Sequence, residues 1–291
     1  MKTIKYFFEF ISVVSLFCIF KIIGLRNASN LGEIIGKSLG PFFRSKNITK
    51  SNIKIGLGEI GNEKEIEIIN GMWANIGRTF SEYMFLKDFR FNKTNFTHIE
   101  INGIKHLDQI KKNNESAIFY SGHFANFELM AMELHKFGIS CAAIYRPLNN
   151  FFLNPLMEYL RMKYICPNQI PKGRMGMREI ISKIKNNYSI ALMVDQRVSE
   201  GPRELFFNKP AHTTTIPAQL ALKYNCKLVP ISLERIEGVK FKMTINEPYK
   251  IKKTDNETQD MKNITLQINK NIEKMIIKNP KQWIWSHNRW K

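Results

Sequence analysis

The stretch SAIFYSGHFANFELMAMELHKFGISCAAIY, residues 116–145, decides the fold because it holds a strand, a helix and a second strand in succession. Its first five residues form a short apolar run, which is typical of a buried strand. The pattern predicts a helix from Phe124 to Phe137 and a second strand from Cys141 to Tyr145. Strands that alternate with helices predict a sheet whose faces are covered by helices.

The same alternation continues toward the end of the chain. Further strands are expected at 190–194, 227–233 and 241–245, and further helices near 154–162, 175–185, 216–224 and 259–277. The sequence has no internal repeat and no Ser- or Gly-rich linker, so a second folded domain is not expected. We therefore predict an α/β protein with a mixed sheet flanked by helices.

The 291 residues carry a formal charge of +19, and positive residues occur along nearly the whole chain. Such a field attracts polyanions, namely nucleic acid, an anionic membrane surface or an acidic carrier protein. An AT-rich genome that favours Lys and Asn codons explains part of the excess equally well. The cysteines show no spacing typical of zinc or redox motifs and are expected to be reduced, in a cytosol-facing domain: Cys18, Cys141, Cys166 and Cys226.

The N-terminal segment Tyr6 to Gly24 is almost continuously apolar and just reaches the ~20 residues that a spanning helix needs. A cleaved signal peptide is one alternative, since Lys2 and Lys5 make a charged start, but no small-residue cleavage site follows. A buried core helix is another. We predict an uncleaved membrane anchor over residues 1–25 and a cytosol-facing domain over 26–291. The flanking cations show no clear asymmetry, so the anchor either spans or lies tilted in the inner leaflet.

Two further helices are predicted before the first strand. Apolar residues recur at helical spacing between Leu31 and Phe42, which predicts a short amphipathic helix near the membrane, interrupted by Pro41 and the polar residues 45–51. Asn62 can cap a longer helix whose apolar stripe from Ile66 to Tyr83 is expected to pack in the core.

The run Ser121 to Glu128 contains the principal catalytic candidates, His123 and Glu128. Five residues on a continuous helix rotate a side chain by about 140°. His123 is therefore expected before the helix and Glu128 in its early turns. A carboxylate that accepts from one imidazole nitrogen leaves the other free to take a proton from a hydroxyl. This predicts a His123–Glu128 dyad for acyl transfer. No Gly-x-Ser-x-Gly motif surrounds a serine, so direct attack by a bound hydroxyl is expected.

Other candidate residues follow the predicted strands, at the ends where ligands gather in α/β sheets. Arg146 and Arg161 can hold phosphate or carboxylate, because a guanidinium offers a bidentate fork. Arg161 is alternatively an exposed helix residue, and its local sequence favours that interpretation. Asp195 follows an apolar strand and is either a structural ion pair or part of the site.

Two polar segments each have two interpretations. The segment His212 to Thr215 is either a simple helix cap or a set of ligand donors. The terminal segment Trp283 to Lys291 combines aromatic and cationic residues, and forms either a membrane-interface belt or a packed tail.

Taken together, these segments resemble the bacterial lipid A biosynthesis acyltransferases, the late lauroyl or myristoyl acyltransferases of the lysophospholipid and glycerol-phosphate acyltransferase superfamily. A His-x4-acid motif alone is weakly specific, whereas the ordered set is highly specific and runs from the anchor to the last residue. The matching segments are Met72 to Thr79, Ser121 to Glu128, Tyr145 to Asn150, Gly173 to Glu179, Val194 to Gln196, Gln282 to Trp285 and Arg289 to Lys291.

The resemblance implies a glycerol-phosphate-acyltransferase-like domain on the cytoplasmic face of the inner membrane. It implies transfer of a fatty acyl chain from acyl carrier protein to a hydroxyl of a lipid A precursor in lipopolysaccharide biosynthesis. His123 is implied as the base, Glu128 as its partner, and Arg161 and Asp195 as further active-site residues. No metal or nucleotide cofactor is indicated.

Two departures from the family pattern lie inside the main motif. Ala125 stands where the family often has Gly, and Phe127 stands where it often has Trp. Both are expected to alter the rim of the pocket without removing the catalytic residues.

The sequence also allows two alternative functions. An acyltransferase for a lysophospholipid or other glycolipid acceptor is disfavoured, because the Pro-Glu-Gly phosphate motif is missing. A membrane-tethered nucleic-acid-binding protein would explain the charge and would bind with a steep salt dependence. No recognisable module supports it, so a nucleic-acid partner is not expected.

Overall fold

A computed structural model describes residues 2–291 and shows an α/β protein. Within those residues the helices are α1 Lys2–Ile23, α2 Leu25–Phe43, α3 Lys46–Leu57, α4 Asn62–Glu82, α5 Leu86–Arg90, α6 Ile104–Lys112, α7 Glu128–Lys136, α8 Asn154–Leu160, α9 Arg174–Lys185, α10 Ile216–Tyr224 and α11 Glu257–Lys278. The strands are β1 Ile99–Asn102, β2 Ala117–Ser121, β3 Cys141–Tyr145, β4 Asn168–Pro171, β5 Ser189–Met193, β6 Arg203–Phe206, β7 Lys209–His212, β8 Lys227–Glu237 and β9 Lys240–Ile245. A π-helical turn, Arg161–Ile165, continues α8.

Seven strands form one mixed sheet in the order β1-β9-β8-β2-β5-β3-β4. All neighbours are parallel except β8 and β9, which are antiparallel. Strands β6 and β7 form a separate hairpin. The predicted mixed sheet is therefore confirmed, and it places β2 and β5 side by side near its centre.

Strand β2 is buried on both faces, and its residues alternate between two cores. Ala117 and Phe119 belong to the core that includes α7 and part of α1. Ile118 and Tyr120 belong to the core that includes α10 and α11. This alternation follows from the period of two along a strand, and it explains why the stretch reads as a continuous apolar run.

The N-terminal helices pack against this double layer. Helix α1 is long and apolar enough to cross a membrane, a property that it shares with signal sequences and with the core helices of soluble proteins. Helix α2 packs against α4 through a row of glycines. The two helices approach so closely that a Cβ at Gly36 would lie 2.2 Å from the Trp73 carbonyl oxygen. Part of the apolar stripe of α2 is consequently turned outward: Phe42 is 85% exposed, whereas Leu31 and Ile35 pack against the core.

Several boundaries differ from the sequence expectations. Pro41 does not end α2, and the polar residues expected to interrupt the helical pattern form part of α3. Asn62 begins α4 as its first helical residue, and the preceding Gly61 is its N-cap. The sequence expectations omitted β1, α6, β4 and the β6–β7 hairpin, in which the strands are four residues long and the helix is nine. Helix α7 begins at Glu128 rather than Phe124, because Ala125 has a left-handed backbone with φ +47°.

The cysteines lie in apolar surroundings. Cys141, Cys166 and Cys226 are buried, while Cys18 is exposed on α1. All four are free thiols, and the closest pair, Cys141 and Cys166, has its sulfur atoms 3.8 Å apart.

Candidate active site

A cavity of about 430 Å³ opens where the central parallel strands end. Its wall includes His123, which follows β2, and Tyr145 and Arg146, at the end of β3. Gln196 and Arg197, which follow β5, complete this edge. The expectation that candidate residues gather at the C-terminal ends of the strands is confirmed for these positions.

His123 is held by Asp195 through two contacts. Its Nδ1 lies 2.7 Å from Oδ1 of Asp195, and its backbone N–H donates to Oδ2 at 2.9 Å. The pairing follows from strand register, since Ser121 of β2 lies beside Met193 of β5. Two residues beyond each strand, His123 and Asp195 therefore meet.

Gly122 makes room for this contact. A Cβ on Gly122 would lie 3.2 Å from Cγ of Asp195 and 2.6 Å from the ring of Phe124. The absence of a side chain at Gly122 therefore admits the carboxylate that holds the histidine. On its other side, the His123 ring meets Phe127 edge to face, with ring centroids 4.7 Å apart.

Asp195 is buried and receives a further hydrogen bond from the end of the chain. The Trp283 indole N–H donates to Oδ2 at 2.8 Å. Burial alone would raise the pKa of Asp195, but positively charged His123 and the hydrogen bonds from His123 and Trp283 outweigh it and lower that pKa to about 2. Asp195 is therefore ionised at neutral pH and only accepts hydrogen bonds.

The predicted hydrogen bond between His123 and Glu128 is wrong in this structure, because Asp195 occupies Nδ1 of His123. Glu128 instead pairs with Arg161, whose Nε and Nη2 lie 3.0 and 2.7 Å from Oε1. The hydroxyl of Tyr83 also donates to Glu128. The physical reason is that Glu128 begins α7 and points toward the π-helical turn that starts at Arg161.

Arg161 and Arg146 have different surroundings. Arg161 lies beside Glu128 and over the ring of Tyr145, with its side chain 12% exposed. The interpretation of Arg161 as an exposed helix residue is therefore wrong. Arg146 is exposed at the rim and makes no ion pair within residues 2–291.

The loop between His123 and Glu128 is fixed by α4. The carbonyl oxygen of Ala125 accepts from Asn75 Nδ2 at 3.1 Å and from Thr79 Oγ1 at 2.9 Å. Behind them, the buried Glu82 pairs with Arg235 and accepts from Asn126 Nδ2 at 2.9 Å. These contacts hold Ala125 in a backbone conformation that favours glycine.

The terminal segment forms a packed tail, so its interpretation as a membrane belt is wrong. Trp283 and Trp285 are buried, and their rings meet at 4.7 Å. Arg289 is also buried and donates to Thr213 Oγ1 at 2.9 Å. The segment His212 to Thr215 is thereby tied to the tail, and the Thr214 hydroxyl accepts from the N–H of Ile216 in the first turn of α10.

Sequence reasoning missed one side chain of the site, His287. His287 lines the cavity and accepts from the Arg197 N–H at 3.0 Å. Burial is the main reason that its pKa falls to about 4, so it is neutral at pH 7. Gln196 Nε2 lies 3.5 Å from Nε2 of His123. Gln196 belongs to the segment Val194 to Gln196 that carried the family resemblance, so the sequence had already indicated it.

A larger cavity of about 760 Å³ lies between β8, β9 and α11. Its lining includes Lys274, Lys278 and Glu234 but no histidine. The cavity at the strand ends is therefore the better candidate for acyl-transfer chemistry.

Comparisons with known proteins identify the family of the chain. Residues 1–291 match the family model described as bacterial lipid A biosynthesis acyltransferase. The lipid A biosynthesis palmitoleoyltransferase of Escherichia coli K12 is 24% identical over 272 residues, which cover 90% of this chain and 84% of the relative. The lipid A biosynthesis lauroyltransferase of the same organism is 23% identical over 273 residues, with the same coverage. A lipid A biosynthesis acyltransferase of Haemophilus influenzae is 26% identical over 242 residues, covering 79% of this chain and 72% of the relative.

The family model spans the anchor-like helix, the sheet and the packed tail alike. Two of the relatives are named for different acyl groups although their identities to this chain differ by a single percentage point. Identity at this level therefore shows the reaction class and leaves the acyl length open. The chain belongs to the bacterial lipid A biosynthesis acyltransferase family and is an acyltransferase of lipid A biosynthesis.

Proposed function

We propose that the protein transfers a fatty acyl chain from acyl carrier protein to a hydroxyl of a lipid A precursor, at the cytoplasmic face of the inner membrane. In this proposal His123 is the general base. The observation that carries it is the 2.7 Å contact between His123 Nδ1 and the ionised Asp195, beside a cavity with apolar walls.

The Asp195 contact determines which nitrogen of His123 can act as a base. An ionised carboxylate cannot donate, so Nδ1 must carry the proton and donate it to Asp195. Nε2 then carries the lone pair. The carboxylate also stabilises the imidazolium that forms when Nε2 takes up a proton.

The reaction then proceeds in two steps. Nε2 of His123 removes the proton of the acceptor hydroxyl while its oxygen attacks the thioester carbonyl carbon. The tetrahedral intermediate collapses with cleavage of the carbon–sulfur bond, and His123 returns the proton to the leaving thiolate. The products are an ester and the free thiol of the carrier.

Glu128 has a different role in this proposal from the one expected from sequence. It neutralises Arg161 and fixes that guanidinium between Tyr83 and Tyr145. We treat both as positioning residues that shape the wall of the cavity. Arg146, which is exposed at the rim, is better placed to hold a phosphate of the acceptor.

The lining supports an acyl substrate and a charged donor. Apolar side chains form much of the wall, among them Met130, Ile144, Leu192, Val198 and Ile216. Arg146, Lys172 and Arg197 add positive charge to the same lining. An acidic carrier protein that presents an acyl chain complements both features.

The test is mass spectrometry of the lipid products made by the detergent-solubilised protein. Acyl carrier proteins loaded with several chain lengths are offered together with a lipid A precursor and lysophosphatidate. One added acyl chain on the lipid A precursor is expected, and His123→Ala should remove it. Acylation of lysophosphatidate alone would point to the alternative acceptor, and acylation of neither would contradict the proposal.

A parallel assay with acyl-coenzyme A tests the donor. We expect the carrier-bound acyl group to be used at least tenfold faster, because recognition of the acidic carrier contributes to binding. Equal rates with both donors would contradict the proposed role of the carrier.

A further inference from the structure

Helix α1 is bound to the rest of the protein at both of its ends. Near its start, Asn150 Nδ2 donates to the Tyr6 carbonyl oxygen at 2.9 Å and to Glu9 Oε2 at 3.2 Å. Near its end, Lys21 Nζ lies 3.1 Å from Asp88 Oδ2. Tyr6 and Lys21 are separated by about 22 Å along a helix.

Aromatic contacts join α1 to the protein between these ends. Phe7 and Phe10 meet the ring of Phe152 at 5.7 and 6.2 Å. Further along, Phe17 meets Phe80 at 5.1 Å, and both Phe17 and Phe20 are buried. The second half of α1 therefore packs on the protein core through Phe17 and Phe20, and its first turns contact the loop that carries Asn150 and Phe152.

The opposite side of α1 is an exposed apolar stripe. Its members share one helical face, and their exposed fractions are 63% for Ile4, 65% for Phe8, 44% for Ile11, 48% for Ile19 and 84% for Ile22. Helix α2 adds exposed Ile34, Leu39, Phe42 and Phe43 after the bend at Gly24. Lysines and arginines flank these faces, at Lys2, Lys5, Lys21, Arg26, Lys37 and Arg44.

We propose that α1 lies in the plane of one leaflet of an anionic bilayer, with this stripe in the acyl region, and that it does not cross the membrane. In that position the exposed apolar side chains enter the acyl region while the flanking cations stay at the headgroups. Anionic headgroups complement the flanking lysines and arginines. The inference rests on the membrane association within the proposed function, and it specifies the geometry of that association.

A spanning α1 conflicts with its neighbours. The irregular loop at 147–153 packs against the first three turns of α1, so a spanning helix would carry that loop into or across the hydrocarbon core. Lipid-exposed irregular backbone does not occur there. A spanning helix would also place the Lys5–Glu9 ion pair within the hydrocarbon region, although both side chains are well exposed.

The in-plane arrangement also positions the catalytic cavity. Arg146, Leu148 and Asn149 line the cavity, and the following residue Asn150 binds the first turns of α1. The mouth of the cavity therefore lies beside α1, at the level of the leaflet. A lipid acceptor can then present its hydroxyl to His123 while its other chains remain in the bilayer.

Labelling of single cysteines from either side of the membrane tests the topology. In a Cys18→Ser background, the remaining native cysteines are buried, and Thr3→Cys and Asn27→Cys place one thiol near each end of α1. A membrane-impermeant maleimide is applied to inside-out and right-side-out vesicles. We expect both positions to react at the cytoplasmic face only. Reaction of the two positions from opposite faces would overturn the proposal.

The depth of the stripe provides a second, independent readout. A fluorophore attached at Ile4→Cys, Ile11→Cys or Ile22→Cys is quenched by lipids brominated at defined depths, in vesicles of phosphatidylethanolamine and phosphatidylglycerol. Equal shallow depths are expected at all three positions, and Asn263→Cys on α11 should stay unquenched. A maximum depth at Ile11, with Ile4 and Ile22 near the two surfaces, would overturn the proposal. So would the absence of quenching at every position.

Both experiments measure location without an acyl-transfer assay. A protein that is inactive on lipid A precursors but labelled from one face would contradict the proposed function and support the inference. An active protein that is labelled from opposite faces would support the proposed function and contradict the inference.

Discussion

Two carboxylates near the catalytic cavity are used in opposite ways. Asp195 lies at the end of β5, is fully buried and accepts N–H groups from His123 and Trp283. Glu128 lies at the start of α7, forms an ion pair with Arg161 and accepts a hydrogen bond from the Tyr83 hydroxyl. Asp195 therefore holds the proposed base His123, whereas the charge of Glu128 is compensated by Arg161 and Glu128 does not contact His123.

This difference comes from the elements that carry the two residues. Neighbouring parallel strands bring residues distant in sequence to one edge, so His123 and Asp195 meet although 72 positions separate them. Glu128 is only five residues from His123, but the bend at Ala125 and the start of α7 turn it toward Arg161. Proximity in sequence was therefore a poor guide to which acid orients the base.

The largest loss of activity is expected from replacing His123, the residue that Asp195 contacts and Glu128 does not. His123→Ala should lower kcat by about 10³-fold, because no other group in the cavity is placed to take the hydroxyl proton. Product formation from radiolabelled acyl carrier protein measures this. His135→Ala, which removes a histidine outside the cavity, should keep near-normal turnover. Near-normal turnover of His123→Ala with an intact fold would disprove the general-base role.

The next effect distinguishes the two carboxylates directly. Asp195→Asn should lower kcat by about 10²-fold, because an amide neither stabilises the imidazolium nor fixes the Nδ1–H tautomer. The matched control is Asp260→Asn, which alters another buried aspartate that accepts from Thr254, away from the cavity. If both variants lose the same small fraction of activity, Asp195 is only structural.

Acid stability tests the same carboxylate by a different measurement. Its pKa is about 2 in the folded protein against an ordinary value of 3.8. The stabilisation is therefore present above pH 4 and is lost as the pH falls from about 4 through about 2. The difference in unfolding free energy between the wild type and Asp195→Asn should shrink by about 2 kcal/mol over that range. Denaturant titrations in detergent at pH 6 and pH 2 measure it, and a constant difference would refute the expectation.

A smaller effect is expected at Glu128. Glu128→Gln keeps the size and one acceptor oxygen, so loss of a charge-assisted contact to Arg161 should lower kcat/KM by about tenfold. The acidic limb of the pH profile, which reports His123, should stay in place, whereas Asp195→Asn should move it. Glu133→Gln on the same helix is the control, because Glu133 pairs with Lys136 outside the cavity. A shift of the acidic limb in Glu128→Gln would restore the predicted His123–Glu128 dyad.

The smallest effect is expected for Ala125→Gly, at the bend that separates the two carboxylates. Ala125→Gly relieves about 1 kcal/mol of left-handed backbone strain and loses about 0.8 kcal/mol of buried methyl group, so stability should change by less than about 1 kcal/mol. Ala125→Val should cost more than about 2 kcal/mol, since a β-branched residue is strongly disfavoured at positive φ. Thermal unfolding measures both. Equal stability of all three proteins would mean that the bend is unstrained.

Particular elements show how far the sequence determined the fold. The strand at Cys141–Tyr145 and the helix at Ile216–Tyr224 have the predicted boundaries, because their apolar patterns are bounded by clear polar or turn residues. Helix α2 was predicted as amphipathic, but only Leu31 and Ile35 of its apolar stripe pack on the core, and Ile34, Leu39 and Phe42 are exposed. The signal for its packing face was the row Gly32, Gly36 and Gly40. The meaning of that row becomes clear only when the structure places it against Gly77 and Trp73 of α4.

The sequence by itself determined the alternation of strands and helices, the apolar N-terminal segment and His123 as the candidate base. Each depends on local patterns or on a short motif. The tertiary structure decided that Asp195 rather than Glu128 orients His123, that the tail supplies Trp283 and His287, and that α1 is bound along its length. These contacts depend on strand order and helix packing, which bring together residues whose separation in the chain carries no local signal.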